Sequence, residues 1–136
     1  MSEYYLSYDP QNFSEELLEA IKEVGLYPTK EKAIECINNI CFIYDIPKPR
    51  LNLCNVSSFE GMYIGVRREI VLNERIELIK LLHELRHHIQ RETMSYFELS
   101  YEDKELEARM WSASLFYKVF PKEFIELCIL GKIRYI

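Results

Sequence analysis

All three histidines of the chain lie within six residues, and their spacing is the first indication of chemistry. Residues 83–88 read H-E-L-R-H-H and begin with an H-E-x-x-H pentapeptide. On an α-helix, His83 and His87 are one turn apart and project from the same face. Two imidazoles at that spacing can bind one zinc ion, and Glu84 is placed to take a proton from water beside the metal. The segment therefore predicts Zn2+ as cofactor, His83 and His87 as ligands and Glu84 as the catalytic base.

The ordinary interpretation of this pair is a polar helix face that matches a short motif by chance. Two features favour the metal site instead. Histidine occurs nowhere else in the chain, and residues 73–82, just before the motif, have strong helical character. The helix is also apolar on two sides, with Leu78, Leu82, Leu85 and Ile89 on one stripe. We therefore expect it to be sandwiched between layers, with its histidines facing a protein wall or a cleft.

A catalytic zinc usually has three protein ligands and one open position. No histidine follows His88, and Gln90 and Thr93 stand where a metzincin would have glycine and histidine. A carboxylate is therefore the expected third ligand, giving a His, His, Glu site. Cys128 is a less favoured alternative. The four cysteines show no C-x-x-C spacing that would indicate a zinc knuckle.

Residues 102–108 carry four carboxylates on a predicted helix: Glu102, Asp103, Glu105 and Glu107. Glu107 shares a face with Trp111, whereas Glu105 points nearly opposite, so helical geometry favours Glu107 as the ligand. Ala108 beside it would allow a close approach of the two helices. The alternative is that Glu105 and Glu107 are both solvated charges, as glutamates on helices usually are.

Local signals predict an α+β fold with N-terminal helices, a small antiparallel three-stranded sheet, the histidine helix and a second ligand-bearing helix. The predicted helix caps are Ser14, Thr29, Asn73 and Ser100. The predicted strands lie around residues 51–53, 62–66 and 69–72. A final short helix is expected at residues 123–130, before Gly131.

Composition limits the classes of protein to consider. A chain of 136 residues predicts one domain, residues 1–136. A net charge of −5 argues against binding nucleic acid directly. Residues 1–5 lack the basic start of a secretory signal, and no stretch reaches the length of a membrane span. A cytoplasmic setting with reduced thiols is therefore expected.

Three segments together resemble the ImmA/IrrE family of zinc metallopeptidases, which are gluzincin-like. Residues 68–73, R-E-I-V-L-N, resemble its strand, residues 83–87 its zinc helix, and residues 105–112, E-L-E-A-R-M-W-S, its second motif. The likeness spans roughly residues 50–120. Arg86 stands where the family usually has glycine, Arg109 where it has asparagine, and Trp111 where it has phenylalanine.

The resemblance implies zinc on His83, His87 and Glu107, with Glu84 as base. It also implies an endopeptidase, bacterial or phage-encoded, that cleaves a regulatory protein such as a phage or mobile-element repressor. Five groups could stabilise the oxyanion in such a reaction, and the sequence does not choose among them: Tyr63, Tyr96, Tyr101, Arg86 and His88.

Substrate docking is expected beside the metal helix. Residues Glu69, Ile70, Val71 and Leu72 directly precede that helix, and as an edge strand they would pair with an extended peptide.

Two other classes of function compete with this hypothesis. The first is a non-catalytic metal-binding regulatory or protein-interaction module, which proteolysis of a partner would distinguish. The second is a DNA-binding protein with a helix-turn-helix in its first two helices, which the acidic charge disfavours.

Overall fold

The computed structural model describes residues 13–131 of the chain. Within that range, five α-helices and three short strands form an α+β fold, as predicted. In chain order they are α1 (Glu15–Lys22), α2 (Lys30–Tyr44), β1 (Arg50–Cys54), β2 (Gly61–Ile64), β3 (Glu69–Asn73), α3 (Leu78–Thr93), α4 (Tyr101–Val119) and α5 (Pro121–Ile129). Residues 1–5, where the absence of a secretory signal was expected, lie outside the described range.

The three strands form a mixed sheet in the order β1-β3-β2. β2 pairs antiparallel with β3 through the short 3-10 turn Gly65–Arg67, but β1 pairs parallel with β3. The expectation of an antiparallel sheet was therefore wrong for one of its two ladders. Side-chain alternation has a period of two in both kinds of ladder, so the local sequence does not report strand direction.

Helix caps account for three of the helix starts. The hydroxyls of Ser14, Thr29 and Ser100 each accept a hydrogen bond from a backbone N–H three residues on, as predicted. The predicted cap at Asn73 was wrong, because α3 begins only at Leu78. Asn73 ends β3 instead, and its amide donates to two loop carbonyls.

The histidine helix α3 lies at the centre of the molecule. It packs against β2 and β3 on one side and against α4 on another, so it is sandwiched as expected. Leu81, Leu82, Leu85 and Ile89 are almost completely buried in the core. All residues from 84 to 90 are buried, which fixes the orientation of the polar ones among them. None of the helices in the described range is both long and apolar enough to cross a membrane.

Candidate metal centre

His83 and His87 project from α3 toward α4, with their ring centroids 4.9 Å apart. The carboxylate of Glu105 lies between them. Its Oε1 is 3.4 Å from Nε2 of His83, and its Oε2 is 2.5 Å from Nε2 of His87. The side chains of His83 and Glu105 each remain 18% exposed, so small molecules can reach this group from solvent. Two imidazoles and one carboxylate thus converge from two helices.

The third member of this cluster is Glu105 and not Glu107, which corrects the prediction from helical geometry. Glu107 instead accepts hydrogen bonds from Nε and Nη2 of Arg86, at 2.8 and 2.9 Å. The reason lies in the face of α4 centred on Ala108, which is completely buried. At 100° per residue, Glu105 lies about 60° to one side of Ala108 and Glu107 about 100° to the other. Both side chains therefore reach α3, and only Glu105 is on the histidine side.

Gln90 forms a hydrogen bond with the imidazole nitrogen of His87 that does not face Glu105. Its Oε1 lies 2.8 Å from Nδ1 of His87, and because this oxygen can only accept, Nδ1 carries the proton. The Nδ1 proton orients Nε2 toward Glu105. The amide nitrogen of Gln90 donates to Lys104 O and to Glu107 Oε1. In the sequence, Gln90 stood out only because it occupies the place of a metzincin glycine. Its position three residues after His87 could have identified it as the hydrogen-bond partner of that histidine.

The charges of the cluster are strongly coupled. Burial opposes ionisation of Glu105, but hydrogen bonds from His83 and His87 outweigh it and hold the pKa of Glu105 far below its usual value. Burial likewise works against protonation of His87, yet its bonds to Glu105 and Gln90 raise its pKa. Without a metal, these shifts favour a protonated His87 paired with an ionised Glu105. A divalent cation would take the place of that proton.

The distances can be compared with a tetrahedral zinc site. With zinc–donor bonds near 2.1 Å, neighbouring donor atoms lie about 3.4 Å apart. The separation between His83 and Glu105 already has this value. The shorter contact between His87 and Glu105 is a charged hydrogen bond and must lengthen by roughly 1 Å on metal binding. This donor set fits zinc.

A second donor set shares the two histidines. Ligand atoms of His83, Glu84 and His87 also lie within 4.8 Å of one another. We favour Glu105 as the third ligand because its two oxygens contact both Nε2 atoms directly. Burial raises the pKa of Glu84, with partial compensation from the two histidines. Neither donor set contains a cysteine among the residues described, so Cys128 gains no support as a ligand.

The carboxylate of Glu84 faces the sheet at β2. A Cβ placed on Gly61 would lie only 3.2 Å from Oε2 of Glu84, so the absence of a side chain at Gly61 makes room for this carboxylate. Glu84 is 9% exposed. The predicted base therefore lies between the histidines and the first residue of β2.

The predicted docking strand does not have a free edge. Glu69, Ile70, Val71 and Leu72 belong to β3, which is the central strand and pairs with both β1 and β2. The backbone N–H and C=O groups of β3 form hydrogen bonds with these two strands. The expectation that a peptide adds to this segment was therefore wrong. The outer edge of β2 pairs with no other strand in the described range.

Comparisons with protein-family models, with curated proteins and with solved structures find no match to this chain.

Proposed function

We propose that this chain is a zinc-dependent endopeptidase of the cytoplasm, of the ImmA/IrrE type, that cleaves a regulatory protein such as a phage or mobile-element repressor. The observation that carries the proposal is the Glu105 carboxylate, delivered by a second helix to both imidazoles of the H-E-x-x-H motif. This gives two histidines and one glutamate as proposed ligands. Glu84, beside them, is then available as the catalytic base.

His83, His87 and Glu105 would hold the metal. Zinc bound there lowers the pKa of water and polarises a peptide carbonyl. The raised pKa of Glu84 suits a group that must both accept and release a proton near neutrality. In the proposed reaction a water oxygen bonds to the scissile carbonyl carbon, and the carbonyl electron pair moves onto its oxygen. Glu84 takes one proton of the water and passes it to the leaving nitrogen as the carbonyl re-forms and the C–N bond breaks, which yields a carboxylic acid and an amine.

The outer edge of β2 is the place where an extended peptide would dock. Gly61 begins this strand next to Glu84, so a peptide paired along β2 would carry a carbonyl past the base. Backbone pairing uses alternate amides of the peptide and tolerates many side chains. Methylating the amides of a cleaved peptide one at a time should therefore slow cleavage at alternate positions. Uniform sensitivity or none would rule out strand addition at β2.

Cleavage itself is the decisive test of the proposed function. Zinc-loaded protein would be incubated with unfolded casein, and separately with any repressor-like protein that a neighbouring gene encodes. We expect new peptide termini in mass spectra with wild type and with Glu74→Gln, a change at an exposed glutamate. Glu84→Gln should bind zinc normally but release no fragments, because an amide cannot take the proton.

Two outcomes would contradict the peptidase. One is equal cleavage by wild type and Glu84→Gln. The other is a zinc-loaded protein that cleaves neither substrate but binds the repressor intact, which would favour the non-catalytic regulatory module instead.

A further inference from the structure

The five side chains that the sequence suggested as stabilisers of an oxyanion differ in burial and in hydrogen bonding. His88 is completely buried, with Nε2 bonded to the Pro47 carbonyl and Nδ1 to the hydroxyl of Tyr63. Arg86 is bound by Glu107 and stacks over the ring of Trp111, 5.0 Å from its centroid. These hydrogen bonds occupy Tyr63, Arg86 and His88 in the folded core.

The two remaining candidates are Tyr96 and Tyr101. Tyr101 is 71% exposed and begins α4, on the outer surface of that helix. Tyr96 lies on the segment between α3 and α4, and its ring centroid is 6.3 Å from that of His87. Within residues 13–131 the hydroxyl of Tyr96 makes no hydrogen bond. Its phenol is therefore a donor beside the candidate metal centre.

Packing on several sides fixes the ring of Tyr96. Tyr63 contacts it edge-on at 5.9 Å between centroids, and the ammonium of Lys104 lies 4.0 Å above its centroid. Gly65 lies under the ring, where an added Cβ would come within 2.9 Å of Tyr96 Cε2. A ring confined in this way presents its hydroxyl in one direction at little entropic cost.

The charges around Tyr96 suit a hydrogen-bond donor. A phenol of ordinary acidity is protonated at neutral pH, so the Tyr96 hydroxyl has a proton to donate. The Lys104 cation on the ring face draws electron density from the phenol and strengthens its O–H as a donor.

We propose that the Tyr96 hydroxyl is a catalytic group that donates a hydrogen bond to the oxyanion formed on the scissile carbonyl oxygen. The assignment rests on the proposed peptidase function and names one further residue of its site. The hydroxyl keeps its own proton throughout and stabilises negative charge where it develops in the transition state.

The test compares Tyr96→Phe with Tyr101→Phe, the same chemical change at an exposed position. Two quantities are measured on zinc- or cobalt-loaded protein: the affinity for acetohydroxamate, whose oxygens imitate the oxyanion, and the steady-state kinetics on casein. Tyr96→Phe should weaken acetohydroxamate about 10-fold and lower kcat about 100-fold. KM and zinc affinity should stay within about twofold, and Tyr101→Phe should match wild type on every measure.

The outcomes separate this inference from the peptidase hypothesis. If casein is cleaved but Tyr96→Phe changes neither kcat nor acetohydroxamate affinity, the role of Tyr96 is overturned and the peptidase stands. If neither casein nor a repressor-like protein is cleaved but Tyr96→Phe weakens acetohydroxamate, Tyr96 donates a hydrogen bond at the metal site, and both the peptidase and the catalytic role of Tyr96 fail. A larger effect from Tyr63→Phe than from Tyr96→Phe would assign the donor to Tyr63 instead. Metal-loaded wild type that does not bind acetohydroxamate would overturn the inference outright.

Discussion

The guanidinium of Arg86 and the carboxylate of Glu107 form a two-pronged ion pair between α3 and α4. The Arg86 side chain is 8% exposed and that of Glu107 is 30% exposed, so the arginine is the more deeply buried charge of the pair. Gln90 donates to the same carboxylate and links the pair to the ring of His87. This ion pair joins the two helices that carry the candidate ligands.

Removing the carboxylate charge at Glu107 should destabilise the fold. Glu107→Gln removes the charge of the carboxylate that accepts hydrogen bonds from the buried guanidinium of Arg86, at a cost of about 2 kcal/mol in the free energy of unfolding. Urea denaturation of the metal-free protein would measure it, with the exposed Glu126→Gln as control. A Glu107→Gln variant as stable as that control would show that the pair contributes nothing.

Zinc affinity should distinguish the two carboxylates of α4. Glu105→Gln replaces one of the two oxygens that contact the imidazoles and removes the negative charge, so it should weaken zinc by at least about 100-fold. Glu107→Gln acts only through Gln90 and should change the affinity by about tenfold or less. Competition with a chromogenic chelator measures both. The reverse ranking would restore Glu107 as the ligand.

The sequence could predict the two histidines of the site, but it could not decide between Glu105 and Glu107. The spacing of His83 and His87 sets their common face, because the helix alone determines it. The third ligand depends on how α4 lies across α3, and no local pattern contains that angle. Arg86 was the usable signal, since a buried arginine on the metal helix requires a carboxylate partner from a neighbouring helix. That requirement would have assigned one of the two glutamates to it.

In the fold, too, features set by neighbouring residues could be predicted from the sequence, whereas contacts between distant segments could not. Ser14, Thr29 and Ser100 could be recognised as caps because each bonds within three residues of its own position. The parallel pairing of β1 with β3 joins residues 19 apart in the register, such as Arg50 and Glu69. It therefore depends on the path of the whole hairpin between them. For that reason β3 was wrongly expected to be an edge strand, although its start at Glu69 was predicted correctly and its end to within one residue.

The hydrogen bond from His87 to Gln90 should tune metal binding. Gln90→Leu keeps the side-chain size roughly constant but removes the acceptor that fixes the tautomer of His87. Zinc affinity should fall about 10- to 100-fold, and the visible spectrum of the cobalt-loaded protein should change because the imidazole is reoriented. A control is Asn38→Leu on α2, a glutamine-like amide away from the site. Unaltered spectrum and affinity in Gln90→Leu would contradict the assigned role.

Thiol labelling should report the core packing of α2. Cys36 and Cys41 are at most 1% exposed, and burial raises the pKa of each to about 12. Neither forms a thiolate near neutral pH, so neither should react with a disulfide reagent while the protein is folded. Cys54 and Cys128 are half-buried and should react first. A Cys54→Ser, Cys128→Ser double variant should therefore label only at the rate of unfolding, and rapid labelling of the folded variant would disprove this packing.

Acid sensitivity should depend in part on Glu92, near the end of α3. Its carboxylate accepts hydrogen bonds from Arg68 at 2.8 Å and from Arg91 at 2.6 Å, and its side chain is only 10% exposed. Burial opposes ionisation, but these two arginines outweigh it and hold the pKa of Glu92 below its ordinary 4.5. The folded state therefore binds this proton less readily than the unfolded state.

The sign of the effect follows from that difference in proton affinity. Stabilisation by ionised Glu92 is fully present above about pH 4.5 and is lost as the pH falls through the lower folded pKa. Wild type should therefore be more stable than Glu92→Gln at neutral pH, and the difference should shrink steadily on acidification. Urea unfolding of both metal-free proteins across that range measures it, because every other carboxylate titrates in both. A difference that stays constant, or grows as the pH falls, would show that Arg68 and Arg91 do not stabilise the ionised form.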